Sequence, residues 1–313
     1  MLQTILGSGG GVGIPLAREL RYFTEHIRLV GRNPHRVNSG DELFAADITD
    51  PLQLDRAIAG SGVVYVTVGF LYSARVWQET WPRFISQVIA SCIRHEARLV
   101  FLDNVYLYAR SAIPFMTEMS QIDPPSKKGK IKQQIREMIL SEVGNKKLTA
   151  LIARSGDFYG PDNRNSLPGI LVAERMLKGK KAIILGNPDK VHTYTYTPDA
   201  AKALAVLGNA KSAFNQEWHL PTTKEMITNR NWVERFAAEL GLKPKSRLIP
   251  KWMLGLSGTV VPMMRELHEM VYQHEEDYVV DSSKFENNFG FHPTPPFEGI
   301  RQTLKALKSS FYN

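Results

Sequence analysis

The chain has 313 residues, 43% hydrophobic and 22% charged, the balance of one large folded α/β domain or two unequal lobes rather than a disordered or fibrous chain. No run of about 18 apolar residues offers a membrane-spanning helix, and a single cysteine, Cys92, excludes a disulfide framework or a multi-cysteine zinc site. The net charge of +8 comes from scattered basic residues, with short clusters only at Lys127 to Lys132 and Lys243 to Arg247. Neither interleaves aromatics, so both read as solvated surface and not as a nucleic-acid face.

The first residues run straight into a strand-like MLQTIL, with no basic segment before an apolar one. The expectation is therefore a protein without a secretory signal, at home in a reducing cytoplasm. Short β-branched runs then alternate with helical stretches. Strands are expected at Thr4–Leu6, Ile27–Val30, Leu43–Ala45, Val63–Val68, Leu99–Leu102, Thr149–Arg154 and Ala182–Leu185. Helices are expected at Ile14–Phe23, Pro51–Ile58, Trp77–His95 and Ile131–Val143. This rhythm predicts a doubly wound parallel sheet with helices on both faces. After about Pro161 it loosens, and Gly169–Leu177, Trp232–Leu240 and Trp252–Tyr272 read as helices between proline-bearing loops. The expected division is a dinucleotide-binding core over 1–160, with 161–313 completing the sheet and forming a smaller substrate lobe.

Between the first strand and first helix stands Gly7-Ser8-Gly9-Gly10-Gly11-Val12-Gly13. Gly7, Gly10 and Gly13 suit a tight turn, backbone approach to a pyrophosphate, and close helix–strand packing, in that order. The helix that follows offers its N–H groups and partial positive charge to the phosphates. The second strand runs into Arg32 and Asn33, where an NAD-preferring site places a carboxylate for the ribose hydroxyl. A guanidinium there suits the 2′-phosphate of NADP, with NAD the alternative cofactor. Asp47 and Ile48 follow the third strand, and Asp47 can accept from the adenine amino group. Asp50, before Pro51, reads equally as a helix N-cap.

These motifs resemble the extended short-chain dehydrogenase/reductase family, in its epimerase/dehydratase branch. Besides the glycine loop and Asp47, the resemblance rests on Val64 to Gly69 and on Arg154-Ser155-Gly156-Asp157-Phe158-Tyr159-Gly160-Pro161. It extends through Tyr196 to Ala200, Asp281 to Phe285, and Phe289 to Pro293. It implies a Rossmann fold with a small substrate lobe. With Arg32 added from the residues themselves, the cofactor is expected along Gly7 to Gly13, Arg32, Asp47, Thr67, Val68, Gly69, Asp103 and Arg154. The substrate is expected between that edge and a lobe carrying Asp157, Tyr159, His192 and Tyr194, with Arg265 a candidate to stand in for an absent family arginine.

The catalytic residues of that family do not carry over. Asn104 stands where it has Ser or Thr, and Lys128-Gly129-Lys130-Ile131-Lys132 stands where it has Tyr-x-x-x-Lys. Lys132 retains the ribose-binding position, with Lys130 and Lys128 as rivals, and Tyr108 is a candidate for a displaced acid. Family members that hold sugar pyrophosphates place arginines where this chain has His192 and Val271–Gln273. The expectation is an NADP-linked oxidoreductase or epimerase-like enzyme with an atypical site. Its substrate would be a sugar derivative or small carbonyl compound. The alternative is a non-catalytic NADP(H)-binding sensor or assembly factor. No metal, membrane or nucleic-acid partner is expected. The Trp77–Ile93 stretch reads either as a homodimer helix or as a core helix of a monomer.

Overall fold

A computed structural model describes residues 1–163 and 165–311. The first half alternates strand and helix: β1 (Gln3–Leu6), α1 (Gly13–Leu20), β2 (Ile27–Gly31), β3 (Glu42–Ala45), α2 (Pro51–Ile58), β4 (Val63–Val66), α3 (Ala74–Arg94), β5 (Arg98–Asn104), α4 (Lys127–Gly144) and β6 (Ala150–Ser155). The second half holds β7 (Asp157–Tyr159), α5 (Glu174–Leu177), β8 (Ala182–Leu185), β9 (Tyr194–Tyr196), α6 (Thr197–Asn209), β10 (Glu217–His219), α7 (Asn229–Glu239), β11 (Ser246–Ile249), α8 (Lys251–Gly258), α9 (Pro262–Met270), α10 (Ser283–Phe289) and α11 (Pro296–Phe311).

Seven strands pair in the order β10-β6-β5-β4-β1-β2-β3, every pairing parallel. A parallel strand needs a crossover before its neighbour; helices supply these except between β2 and β3, which a loop joins, and they cover both faces of the sheet. One face packs Val64, Val66, Leu99 and Phe101 under α2, α3 and α4. The other packs Ile5, Leu29, Tyr65 and Val100 under α1 and α6. Asp50 caps α2, its carboxylate accepting from the Leu52 and Gln53 amides. Helix α3 turns Trp77, Trp81, Phe84, Ile85, Val88 and Cys92 inward, the pattern of a core helix.

Three expectations shift. Strand β4 stops at Val66 because the Thr67 hydroxyl donates to the Leu6 and Gly7 carbonyls and pulls the chain toward the glycine loop. Ala182–Leu185 is a strand, but it pairs with β11 in a separate two-stranded sheet, as β7 does with β9. The single helix expected over Trp252–Tyr272 is a hairpin: Pro262, which has no N–H to continue a helix, starts α9 afresh.

Candidate active site

All the parallel strands point their carboxyl ends to one edge, where the loops that follow β1, β2, β4, β5 and β6 gather. Gly7 sits at φ +90°, a left-handed backbone that only glycine adopts without strain, and its missing Cβ would stand 3.0 Å from the Val68 backbone. At Gly13 a Cβ would meet the Gly7 carbonyl oxygen at 2.5 Å, so α1 starts closer to β1 than any side chain allows. Ser8 donates to the Val30 carbonyl and pins the loop to β2. A Cβ at Gly10 would make only ordinary contact with its neighbours, at 3.4 Å from the Gly7 carbonyl oxygen. This cradle fits a pyrophosphate held by backbone amides at the start of α1.

Arg32 and Asn33 are exposed just past β2, with His35 and Arg36 beyond them. Asp47 is exposed too. Its carboxylate accepts from the Thr49 amide and hydroxyl, and these bonds, with help from Arg32, hold its pKa below the ordinary value. Ile48 packs against the core, and Thr67, Val68 and Gly69 form the next lip. This end of the edge is therefore open, with exposed polar side chains around a backbone loop.

The edge above β5 and β6 is different. Asp103 is buried, and Lys132 of α4 lies 3.0 Å from its carboxylate with only 4% of the side chain exposed. The ammonium sits over the rings of Trp81 (4.1 Å), Trp77 (5.2 Å) and Phe101 (5.3 Å). Arg154, fully buried, reaches Asp103 at 3.7 Å and pairs with Glu217 on β10, which Arg136 grips with a bidentate fork. Burial alone would lower the Arg154 pKa, but Tyr108, Glu217 and Asp103 outweigh it and raise it. Lys132, Asp103, Arg154, Glu217 and Arg136 thus alternate in sign along one line that runs from the buried Lys132 to the half-buried Arg136.

Lys128, at the family's tyrosine position, is fully buried and ion-paired with Glu266 and Glu269 of α9, with the Tyr72 ring 4.7 Å from its Nζ. The same carboxylates cap two helices. Glu266 accepts from the Ala74 amide at the start of α3, and Glu269 from the Lys127 and Lys128 amides at the start of α4. Lys130 is exposed.

Asn104 accepts from the Tyr106 amide, a local turn contact. Tyr108 is buried with its hydroxyl 2.7 Å from His219 Nε2, while His219 Nδ1 lies 2.8 Å from the Asp281 carbonyl. A carbonyl can only accept, so Nδ1 carries the proton and Tyr108 donates to Nε2. Burial, partly offset by Arg154, pushes the Tyr108 phenol up to about 12.

From the lobe side, Asp157 follows β6 and accepts from His192 Nε2 at 3.0 Å. Burial would raise its pKa, but the His192 hydrogen bond, with a smaller electrostatic contribution from the neighbouring imidazoles, holds it below the ordinary carboxylate value. The His192 ring is stacked between Tyr278 (4.2 Å, 5°) and His274 (4.4 Å, 7°). Burial and the neighbouring His192 push His274 down to about 3. Asp157, His192 and His274 bring their ligand atoms within 4.8 Å of one another. A metal must lie near the plane of each imidazole it binds, and two stacked parallel rings share no such point, so this is a stack and not a coordination set. Tyr72 and Tyr106, both packed in the same buried cluster, complete the wall. Burial raises both phenols; each also feels the other, and the Asp157 charge adds a smaller push upward.

The remaining lobe candidates lie apart from that wall or behind it. Tyr159 packs against Tyr196 and Trp232 in the lobe core, Tyr194 stands between His192 and Trp232, and Arg265 is exposed on α9. Sequence reasoning missed Glu266, Glu269, His274, Tyr278, Tyr72 and Glu217. A Glu pair three apart on one helix face was visible, but nothing in it names a partner about 140 residues away.

A seven-stranded parallel sheet with a glycine cradle at a β–α turn defines a dinucleotide-binding Rossmann protein. Residues 4–218 match the NAD dependent epimerase/dehydratase family, and the chain belongs to it. In overall fold it is similar to UDP-glucose 4-epimerase of Thermus thermophilus, solved with NAD, with TM-score 0.80, 19% identity, and coverage of 99% of this chain and 100% of that one. It is similar also to dTDP-glucose 4,6-dehydratase of Bacillus anthracis, solved with NAD, with TM-score 0.80, 16% identity, and coverage of 100% and 98%. Two curated relatives from Arabidopsis thaliana are the 3beta-hydroxysteroid-dehydrogenase/decarboxylase isoforms 2 and 1. They are 24% identical over 56% of this chain and 23% identical over 92% of it. The chain spans about a third of the length of the first and three quarters of the second.

Proposed function

We propose that this protein binds NADP(H) in preference to NAD(H) and catalyses oxidation or reduction at a secondary alcohol or ketone, as an oxidoreductase or an epimerase-like enzyme. The observation that carries the cofactor preference is Arg32, exposed just past β2 at the position where an NAD-preferring site places a carboxylate. Backbone amides at Gly10 to Gly13 and the start of α1 would hold the pyrophosphate, and Asp47 the adenine. The nicotinamide, when bound, supplies or accepts a hydride. Secondary-alcohol chemistry is common to the names of the steroid and sugar relatives. The residues at His192 and Val271–Gln273 supply no arginine for a sugar pyrophosphate, which favours a small carbonyl compound or an unphosphorylated sugar derivative.

Proton exchange is assigned to Asp157. Its side chain keeps 16% of its surface open, and buried His192 behind it holds the carboxylate in place. Position and water exclusion do most of the remaining work, so turnover is slow where a phenol acid is missing. A second reading, a sensor that binds the dinucleotide without turnover, is favoured by one observation: Lys128 and Lys132 are both committed to buried ion pairs.

Titration with NADPH and NADH by fluorescence tests the cofactor reading. NADPH is expected to bind at least about tenfold tighter, and Arg32→Ala to erase the difference. Equal affinities in the native protein overturn it. NADPH consumption against a panel of ketones then separates the two readings. Slow turnover that Asp157→Asn abolishes without changing NADPH affinity supports the enzyme, and no turnover on any member supports the sensor.

A further inference from the structure

Gly11 is not among the left-handed glycines, so its backbone does not call for the missing side chain. A neighbour does. The atoms nearest to a Cβ at this position all belong to Asn163, whose Cβ, Cα and Cγ would lie 2.9, 3.0 and 3.1 Å from it. Any side chain at position 11 would therefore push Asn163 off the phosphate loop. Asn163 ends a turn that follows β7, with its amide donating to the Gly160 carbonyl at 3.3 Å. One residue before it, Asp162 accepts from Arg18 of α1 at 2.8 Å. Residues 161–163 thus cross from the lobe as a short strap that touches the loop at Gly11 and the following helix at Arg18.

Neither contact does much for the fold. The Arg18 side chain is 54% exposed, and an ion pair that open to water adds little stability. The side-chain amide of Asn163 bonds to nothing among the described residues. Yet its Cγ lies against Gly11, next to the unobstructed approach at Gly10 and the amides that begin α1. An asparagine amide carries two N–H donors. Placed at the rim of a loop shaped for a pyrophosphate, and left without a protein partner, it is a donor that a phosphate oxygen satisfies.

We propose that Asn163 is a cofactor-binding residue whose side-chain amide donates to the pyrophosphate in the Gly7–Gly13 loop, and that Arg18 and Asp162 are positioning residues that hold the strap there. This rests on the dinucleotide reading and adds a second wall, from the lobe, to a phosphate site otherwise made of one loop. Arg18 has an electrostatic task too. Asp162 brings a carboxylate within one residue of the phosphates, where like charges repel, and Arg18 neutralises it. Glycine at position 11 then has its own reason in this chain: it admits the strap. The strap in turn ties the lobe to the loop that grips the cofactor.

Calorimetric titration of the full chain with NADPH and with ADP tests it, ADP being the part of the dinucleotide that carries two linked phosphates and no nicotinamide. Asn163→Ala should weaken both by a similar factor, about tenfold or more, because a hydrogen bond to a charged group is lost. Its melting temperature should stay nearly unchanged, since the amide bonds to no described residue. Gly11→Ala should weaken binding to a like extent by displacing the strap, and Gly11→Ala/Asn163→Ala should be no weaker than either alone. Arg18→Ala should also weaken binding, and adding Asp162→Asn should recover most of the loss, a rescue that a merely structural ion pair would not show. Three outcomes in a native chain that binds NADPH overturn this proposal alone: affinities unchanged in Asn163→Ala, additive losses in the double variant, or an Arg18→Ala loss that Asp162→Asn does not recover. A native chain that binds neither NADPH, NADH nor ADP overturns the dinucleotide reading and this proposal with it.

Discussion

The two halves of the sheet edge solve different problems. Above β1 and β2 the site is made of backbone: a left-handed Gly7, a close-packed Gly13 and the start of α1. Above β5 and β6 it is made of side chains, and there Asp103, Lys132, Arg154 and Glu217 pair with one another under a roof of indoles. A backbone cradle tolerates almost any surrounding sequence as long as its glycines remain. A side-chain site is rewritten by a few substitutions. Lys128 in the place of a tyrosine needs carboxylates, and Glu266 and Glu269 provide them by drawing α9 onto the starts of α3 and α4.

The sharpest way to break this contrast is inside the cradle itself. Gly13→Val is expected to prevent folding, because its Cβ would stand 2.5 Å from a backbone oxygen that cannot move away. Gly10→Val, whose Cβ meets nothing closer than 3.4 Å, should leave the melting curve nearly unchanged and lower dinucleotide affinity by at least about a hundredfold. Binding that survives Gly10→Val means the phosphates lie elsewhere.

On the side-chain half, Lys132→Met leaves Asp103 buried beside Arg154 alone and should cost about 3–5 kcal/mol in urea unfolding. Adding Asp103→Asn should recover much of that, since the buried charge goes with its partner. The opposite pattern, with unfolding barely changed and dinucleotide binding lost in Lys132→Met, would make Lys132 a cofactor residue and erase the distinction between the two halves.

A smaller effect follows from His274. Its pKa is about 3 when folded and near 6.5 when unfolded, so between those values the unfolded chain binds the extra proton. Stability therefore rises with pH across that window and is lost as pH falls through it, by about 1.4 kcal/mol per pH unit for one proton. His219, also depressed by burial, contributes with the same sign. His274→Phe keeps a ring against His192 and removes the titration. The slope of unfolding free energy between about pH 6 and about pH 4 should fall by about one proton's worth. An unchanged slope would show that His274 is not a buried neutral group.

Much of the fold was legible in the residues, because local rules wrote it. Continuous apolar strands set the parallel sheet, Asp50-Pro51 set the start of α2 at the expected residue, and Gly7, Gly10 and Gly13 set the β1–α1 turn. Strand β10 was not legible. Its three residues carry no periodicity, and only pairing with β6 makes them a strand. The candidate site divides the same way. Arg32 and Asp47 could be located by counting from the strands that carry them. Lys132 could be located but not understood, because its partner Asp103 and the Trp77 and Trp81 rings come from other elements.

The sequence alone therefore determined the strand–helix alternation, the glycine cradle and the absence of a tyrosine four residues before Lys132. Each depends on neighbours within a turn or two of chain. Only the tertiary structure decided that Lys128 is neutralised by Glu266 and Glu269, that Tyr108 donates to His219, and that Asp157, His192, His274 and Tyr278 form one stacked group. It also decided that Trp252, Leu256 and Val260 face outward together rather than into a core. The physical reason is common to all of these. A buried charge or ring is stable only beside its complement, and which distant residue supplies that complement is fixed by packing, not by spacing along the chain.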